Sequence, residues 1–176
     1  MKAKSTHTFR VLGIYPCSKG FGFAVLESRG LLVSWGIARL YSANEDEYRQ
    51  RLEGLWEKYR VRIVSLERVI TSRRAERARH MIATATECAA FSGLYVVHAD
   101  QAQLRLSCGL GPASSRYDVA TRISQLLPEL EVLLPPPRKP WQPEDERIGV
   151  FFAAALAVFG ATSRGVDVTA ILRRVA

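Results

Sequence analysis

The chain is poor in the residues that hold small secreted domains or thiolate metal sites together. Its three cysteines, Cys17, Cys88 and Cys108, are widely spaced and include no C-x-x-C pair, so neither a disulfide framework nor a thiolate zinc site is expected. The longest apolar run, Val150–Gly160, is far shorter than the ~20 residues that cross a bilayer. The start, MKAKSTHTFR, lacks the apolar segment of a signal peptide. We therefore expect a cytoplasmic protein with no membrane partner.

Acidic residues are also scarce relative to basic ones. The 176 residues include 25 Lys and Arg against 17 Asp and Glu, a formal net charge of +8. This excess favours a polyanionic partner, with nucleic acid ahead of an acidic membrane surface. The content of 48% hydrophobic and 24% charged residues excludes a wholly disordered, collagenous or fibrous chain. The length fits one domain with a core of its own.

The first third of the chain has the pattern of a three-stranded meander. Apolar segments alternate with short turns, and the break at 27–30 is the size of a hairpin, which makes successive strands antiparallel neighbours. From Ser42 the period becomes helical, and Ser42-x-x-Glu45 predicts a capping box. The predicted elements are strands at Phe9–Ile14, Phe21–Leu26 and Leu31–Leu40, followed by a helix that contains Tyr48, Leu52 and Trp56.

The remainder alternates strands with helices. The fourth strand is almost continuously apolar, as in a strand covered on both faces, but Glu67 interrupts it. A proline-rich segment at 134–141 predicts a stiff, extended connector. The predicted elements are strands at Arg62–Val69 and Leu94–Val97, and helices at Arg73–Phe91, from a cap at Ser114 or Ser115 to Leu127, and at Pro143–Phe159.

These elements predict an α/β domain with a mixed five-stranded sheet, three antiparallel strands plus two parallel ones, and helices on both faces. No internal repeat is visible, and we place the domain at residues 9–160, between a basic leader (1–8) and a C-terminal tail (161–176). The right-handed crossover rule places the fourth strand beside the first and parallel to it. Tyr15 is therefore expected close to Glu67.

Four segments, VLGIYPCSKGFGFAVLE, LVSWG, VSLE and PPPRKPWQPEDERIGVFFAAALAV, together resemble RuvC-like Holliday-junction resolvases of the ribonuclease H-like superfamily, nearest to an uncharacterised bacterial RuvC-like subgroup. The resemblance covers about residues 9–160. It implies a ribonuclease H-like fold, a homodimer and branched DNA as partner. It also implies a nuclease in which carboxylates on the first strand, the fourth strand and the last helix hold Mg²⁺ (or Mn²⁺) against a DNA phosphate.

The chain departs from this pattern at two of the expected acids. Tyr15 stands in GIYP where the family pattern is GIDP, and Phe152 stands at the acidic position of the last helix. Glu67 and Asp145 match, and are the expected catalytic remnants and weak metal ligands. Asp145 and Phe152 are seven residues apart, so we expect both on one helical face, with Phe152 near Tyr15. Rings in place of crowded carboxylates would relieve repulsion and bury apolar area. Because two of the expected acids are missing, cleavage is expected to be weakened or lost, with no cofactor.

Two other interpretations stay open at this point. The protein is an active Mg²⁺-dependent, structure-selective endonuclease if Glu67 and Asp145 are joined by another acid. The candidates for that acid are Glu27, Asp118, Glu144 and Glu146. Residues 144–146 also suit the first turn of a helix regardless of function, and Glu67 would need no site role if it paired with Arg68. If both DNA binding and cleavage were lost, the chain would be a protein-interaction subunit.

Basic residues gather just after Glu67 and on the connector. Such a run is usually a solvated face, but its place beside the expected site favours contact with DNA phosphates. Tyr15 could in addition stack on a base. The candidate phosphate-binding residues are Arg68, Arg73, Arg74, Arg77, Arg79, Arg138 and Lys139.

Overall fold

Three antiparallel strands form the first part of the sheet. The computed structural model of the protein describes residues 8–42, 44–68 and 75–165. Ser18 and Lys19 form the turn between the first two strands, since Cys17 pairs with Gly20. Gly30 has a φ of 80°, a left-handed conformation that glycine adopts without steric cost, in the turn before the third strand. The strands are β1 (Arg10–Cys17), β2 (Gly20–Glu27) and β3 (Leu32–Arg39).

Helices and two parallel strands follow along the chain. They are α1 (Glu45–Tyr59), β4 (Ile63–Glu67), α2 (Glu76–Phe91), β5 (Tyr95–Ala99), α3 (Gln101–Ser107), α4 (Arg116–Leu126), a 3₁₀ helix (Pro128–Leu133) and α5 (Ile148–Thr162). Asp100 and Gln103 form a capping box at α3, a short helix that the sequence pattern did not predict. Ser115 caps α4, and it is one of the two serines that the sequence offered as the cap.

The sheet order is β3-β2-β1-β4-β5. β1 pairs with β2 antiparallel and with β4 parallel, and β4 pairs with β5 parallel. The predicted mixed sheet, and the predicted place of the fourth strand beside the first, are confirmed. Ile14 lies opposite Leu66, so the next residues of these adjacent strands, Tyr15 and Glu67, lie near the carboxyl ends of β1 and β4.

Helices cover both faces of this sheet. α5 packs on one face together with α3 and α4, and α1 and α2 enclose a second core on the other. α5 lies so close to β1 that a Cβ at Gly13 would be 1.8 Å from the carbonyl oxygen of Ala153. Although α5 is almost entirely buried, no helix in the described ranges is long and apolar enough to span a membrane.

Two predicted helix starts are wrong. Asn44, not Ser42, caps α1 by accepting a hydrogen bond from the backbone N–H of Asp46 at 2.9 Å. The Ser42 hydroxyl instead donates to the carboxylate of Glu47. At the second wrong start, α5 begins at Ile148 rather than Pro143.

Residues 144–146 therefore precede α5 instead of forming its first turn, and Asp145 does not share a helical face with Phe152. The local reason is that the Asp145 carboxylate accepts the backbone N–H of Arg147 at 2.9 Å. Such a side-chain to backbone bond competes with helix formation. Residues 1–7, 69–74 and 166–176, which include most of the predicted leader and tail, lie outside the described residues.

Candidate functional site

The carboxyl ends of β1 and β4 bring the predicted site residues to one edge of the sheet. Tyr15 lies two residues before the end of β1, Glu67 ends β4, and α5 presents Phe152 from the face that it covers. The Tyr15 and Phe152 ring centroids are 5.0 Å apart with the planes tilted by 42°. The predicted proximity of these two side chains is confirmed, and their contact is a packed aromatic pair.

An arginine that the sequence analysis did not single out lies against this aromatic pair. Arg116 is the first residue of α4, directly after its cap. Its guanidinium carbon is 4.2 Å from the centre of the Phe152 ring and 5.4 Å from that of Tyr15, within the range of cation–π attraction. Its Nη1 donates to the Tyr15 hydroxyl at 2.8 Å, and its Nε donates to the Glu144 carboxylate at 2.6 Å.

The electrostatics of this cluster keep the arginine charged and the tyrosine protonated. Burial raises the pKa of Tyr15, an effect that Arg116 opposes and Glu67 adds to. Burial alone would lower the pKa of Arg116, but the Tyr15 hydroxyl and the Glu144 carboxylate outweigh it and raise that pKa. A fixed positive charge therefore lies between β1, α4 and α5.

Glu67 is held in a polar network rather than by Arg68. The side-chain amide of Gln101, at the start of α3, donates to its Oε1. Burial raises the pKa of Glu67, while the Gln101 hydrogen bond and the charges of Arg116 and Arg105 act in the opposite direction. Arg105 also donates to the backbone carbonyl of Gln101 at 3.0 Å. Gln101 and Arg105 carry no sequence signal, because only the folding of α3 against the strand end brings them here.

Asp145 is engaged by a neighbouring base. Arg147 donates to its two carboxylate oxygens at 2.9 and 2.7 Å, a bidentate geometry that strengthens the pair. These bonds hold the pKa of Asp145 below its usual range. Asp145 is thus ionised, and Arg147 balances its charge.

The other acids considered as replacements have partners of their own. Glu144 binds Arg116, and Glu146 lies 3.0 Å from Arg39 and 4.0 Å from Lys19. Asp118 completes the capping box of Ser115. Glu27 pairs with Arg10 at 3.8 Å at the opposite end of β1. Among the described residues, each of these four acids therefore already has a partner, and none is left free to join Glu67 as a metal ligand.

This set of donors does not fit a Mg²⁺ site. Mg²⁺ requires near-octahedral oxygen ligands at 2.0–2.1 Å, but the positions around Glu67 hold a phenol, an apolar ring and a guanidinium. Across the described ranges, no group of three or more His, Cys, Asp or Glu side chains is placed to hold a metal ion. The positive charge at this edge of the sheet comes from Arg116.

Three adjoining cavities form a concave surface around the site, which we call the cleft. A central cavity of about 240 Å³ lies at Tyr15, Arg116 and Glu144. It shares Ser18 with a cavity lined by basic residues of β3 and α2, and it shares Arg116 with a cavity of about 390 Å³ beneath the proline-rich connector. The basic residues lining the cleft are Lys19, Arg39, Arg77, Arg116 and Arg138.

The predicted phosphate-binding residues fall on two surfaces. Arg77 reaches the cleft, where it donates to the backbone carbonyl of Ser18, and Arg138 reaches its other end. Arg68 and Arg79 instead line a shallow cavity with Glu67 and His98. Lys139 is exposed on the connector, while Arg73 and Arg74 lie outside the described residues. The sequence analysis missed Lys19 and Arg39, which are separated along the chain and come together only through the hairpin.

Comparison with known proteins identifies the architecture. No protein-family model matches the chain, and no curated protein matches it significantly in sequence. Among solved structures, RuvC of Thermus thermophilus is similar with a TM-score of 0.65 and 15% identity over 90% of this chain and 98% of that one. This chain has the RuvC-like fold.

Two further structures share the RuvC-like fold. T. thermophilus RuvC in complex with a Holliday junction substrate has a TM-score of 0.62 and 15% identity, covering 89% of this chain and 96% of the other. The yeast mitochondrial Holliday junction resolvase Ydc2 has a TM-score of 0.58 and 13% identity, covering 94% and 84%. The predicted fold class is confirmed, and the bacterial subgroup stays a prediction.

Proposed function

We propose that this protein binds branched or otherwise structured DNA through the cleft, and that its endonuclease activity is weakened or lost. Support for DNA comes from the RuvC-like fold, since one similar structure holds a Holliday junction and another is a Holliday junction resolvase. The net charge of +8 and the basic lining of the cleft suit a phosphate backbone. A homodimer and a cytoplasmic location stay predictions.

The observation that carries the loss of cleavage is the guanidinium of Arg116 between Tyr15 and Phe152. A nuclease of the two-metal type needs several carboxylates around the attacked phosphate. Here two of those positions hold rings, and a side chain supplies the positive charge. An arginine can bind a phosphate but stays protonated in proteins, so it cannot serve as the base that activates water.

The cleft offers phosphates more than one cation. Lys19 and Arg39 share the single carboxylate of Glu146, so a phosphate entering between them gains from the excess positive charge. Arg77 and Arg138 lie at the two ends of the same surface. In this proposal these residues follow the DNA backbone while Arg116 lies at the centre.

Binding is tested with a four-way DNA junction and a linear duplex of matched sequence in gel-shift titrations at rising salt. We expect tighter binding to the junction and a steep loss of affinity with salt, because each neutralised phosphate releases counterions. Arg77→Ala and Arg138→Ala should each weaken binding and reduce the salt slope by about 1. Arg62→Ala is the matched control, because Arg62 is exposed in a cavity at the other end of the sheet.

Cleavage is tested on the same junction with Mg²⁺ or Mn²⁺. Binding without products is the expected result. Products that disappear in Glu67→Gln would instead support an active endonuclease using Glu67, Asp145 and another acid. No binding to any nucleic acid would favour the protein-interaction subunit and would contradict the proposal.

A further inference from the structure

A large aromatic side chain is held out in solvent next to the cleft. Trp141, at the end of the proline-rich connector, is 76% exposed. A short turn fixes its backbone, since Gln142 donates its N–H to the Lys139 carbonyl at 3.0 Å and accepts the Lys139 N–H on its side chain at 3.0 Å. The indole is therefore presented by an ordered turn.

One cation lies near this indole, and a second is bound to the backbone of the same turn. The Lys139 ammonium lies 5.5 Å from the Trp141 ring centre, and Arg138 donates to the backbone carbonyl of Gln142 at 2.9 Å. Neither forms an ion pair with an acidic side chain in the described part of the chain. An exposed ring beside uncompensated positive charge matches a nucleotide, which offers a flat base and an anionic phosphate.

The turn is also continuous with the cleft. Arg138 lines the cavity of about 390 Å³ together with Arg116 and the backbone-stiffening prolines Pro135–Pro137. Proline restricts the backbone, so the connector keeps the indole at a set distance from the cavity. DNA that follows the basic residues of the cleft would reach Trp141 as it leaves.

We propose that Trp141 stacks on an unpaired or unstacked base of the bound DNA, with Lys139 and Arg138 holding the phosphates on either side. The inference rests on the proposed binding of DNA and adds the feature that is recognised. Bases inside a regular duplex are covered on both faces by their neighbours and show only their edges in the grooves. A flat ring on a surface turn therefore selects DNA in which a base face is free, at a junction, a bulge or a single-stranded end.

The test compares Trp141→Ala and Trp141→Phe on two duplexes that differ only in a central run of unpaired thymines. On the bulged duplex, Trp141→Ala should weaken binding by about 5- to 150-fold, the range for loss of one base–aromatic stack. Trp141→Phe should keep most of the affinity, and on the regular duplex both variants should match the wild type. Phe91→Ala is the control, because Phe91 is 94% exposed and lines none of the cavities that form the cleft.

Tryptophan fluorescence gives a second readout. The chain has two other tryptophans, Trp35 and Trp56, so the emission lost in Trp141→Phe measures Trp141 itself. Stacking should quench that component on the bulged duplex. If the wild type binds and Trp141→Ala shows the same affinity and the same DNA-induced quenching as the wild type, this inference alone is overturned. A change of oligomeric state in Trp141→Ala without a change in affinity would also overturn it. Absence of binding by the wild type would overturn the proposed function as well.

Discussion

The guanidinium of Arg116 donates to the Tyr15 hydroxyl and lies 101 residues further along the chain. The contact joins the last turn-side residues of β1 to the start of α4, since Tyr15 lies two residues before the end of that strand. The same guanidinium covers the Phe152 ring of α5. In this interpretation, the fixed guanidinium of Arg116 stands in exchange for the Mg²⁺ ion that a metal-dependent nuclease binds. The exchange would preserve attraction for a phosphate while removing the oxygen ligands that water activation by Mg²⁺ requires.

Removing this cation should destabilise the fold. Arg116→Ala deletes the hydrogen bonds to Tyr15 and Glu144, and we expect a loss of about 1–2 kcal/mol in the free energy of unfolding, discounted because the side chain is 36% exposed. Urea denaturation measures the change. Arg116→Lys keeps the charge without the planar fork and should recover part of the loss. Equal stability of all three proteins would show that the contacts contribute nothing.

DNA binding should not require a divalent ion. Because Arg116 supplies the central positive charge, the affinity for the four-way junction should change by less than about twofold when Mg²⁺ is replaced by EDTA at equal ionic strength. Fluorescence anisotropy with a labelled junction measures this. Arg116→Gln should weaken binding in both buffers. A strong Mg²⁺ requirement that disappears in Glu67→Gln would point to a working metal site instead.

The secondary structure and the strand order could be predicted because they depend on local periodicity and on general rules of chain connection. The contact of Tyr15 with Phe152 followed from the resemblance, since both stand where the family has acids that converge. Arg116 could not be found in this way. Directly after a capping serine, it has the context of an ordinary surface arginine, and only the packing of α4 beside β1 gives it a role.

The predicted start of α5 was wrong for a local reason that a residue pattern does not show. Acids before an apolar helix suit its first turn, and a bidentate bond from Arg147 instead holds Asp145 in a turn. The balance between these two arrangements depends on side-chain geometry. The short helix α3 was missed although Asp100-x-x-Gln103 forms its capping box, because the helix itself is too short for a periodic signal.

Glu67 should make stability depend on pH. Burial raises its pKa in the folded protein, so folding favours the protonated carboxyl. That contribution is fully present below the ordinary glutamate pKa of about 4.3 and is lost as the pH rises through the higher folded value. Glu67→Gln removes the charge and can still accept the Gln101 hydrogen bond. We therefore expect a higher Tm than the wild type at pH 7–8 and a smaller difference near pH 4, measured by thermal denaturation.

A matched control is Glu144→Gln, which removes an acid that is 39% exposed and paired with Arg116. It should lower Tm at pH 7, because the guanidinium of Arg116 loses its negatively charged partner. If Glu67→Gln also lowered Tm at pH 7, the ionised form of Glu67 would be the stabilised one and the argument from burial would fail.

The close approach of α5 to β1 should tolerate no side chain at Gly13. A Cβ there would meet the Ala153 backbone oxygen at 1.8 Å, which only a shift of the helix can relieve. Gly13→Ala should therefore cost at least about 1–3 kcal/mol, measured as a fall in the urea midpoint. Gly54→Ala is the control, since a Cβ in that part of α1 meets nothing within 4 Å. It should instead stabilise by about 0.5–1 kcal/mol through helix propensity.

Returning acids to the two ring positions should create a metal site only when the guanidinium is also removed. In Tyr15→Asp with Phe152→Asp, Arg116 can pair with the new carboxylates and occupy the space between them. Adding Arg116→Gln leaves those carboxylates facing Glu67. Three carboxylates in one place repel one another. Without metal, the triple variant should therefore be less stable than the double variant. Mn²⁺ should then raise its Tm, because a ligand that binds only the folded state stabilises it by about 2.7 kcal/mol at one hundred times its Kd.

Differential scanning calorimetry with and without Mn²⁺ separates the outcomes before any cleavage is assayed. The triple variant carrying Glu67→Gln should lose most of the Mn²⁺ effect, because one oxygen ligand of the set becomes a neutral amide. A Mn²⁺-dependent rise in the wild type that Glu67→Gln abolishes would mean that the native residues already hold a metal. That result would contradict the proposal that Arg116 supplies the positive charge of the site in place of a metal ion. Junction cleavage by the triple variant would show that the scaffold retains the substrate geometry and that two rings and one guanidinium suppress the chemistry.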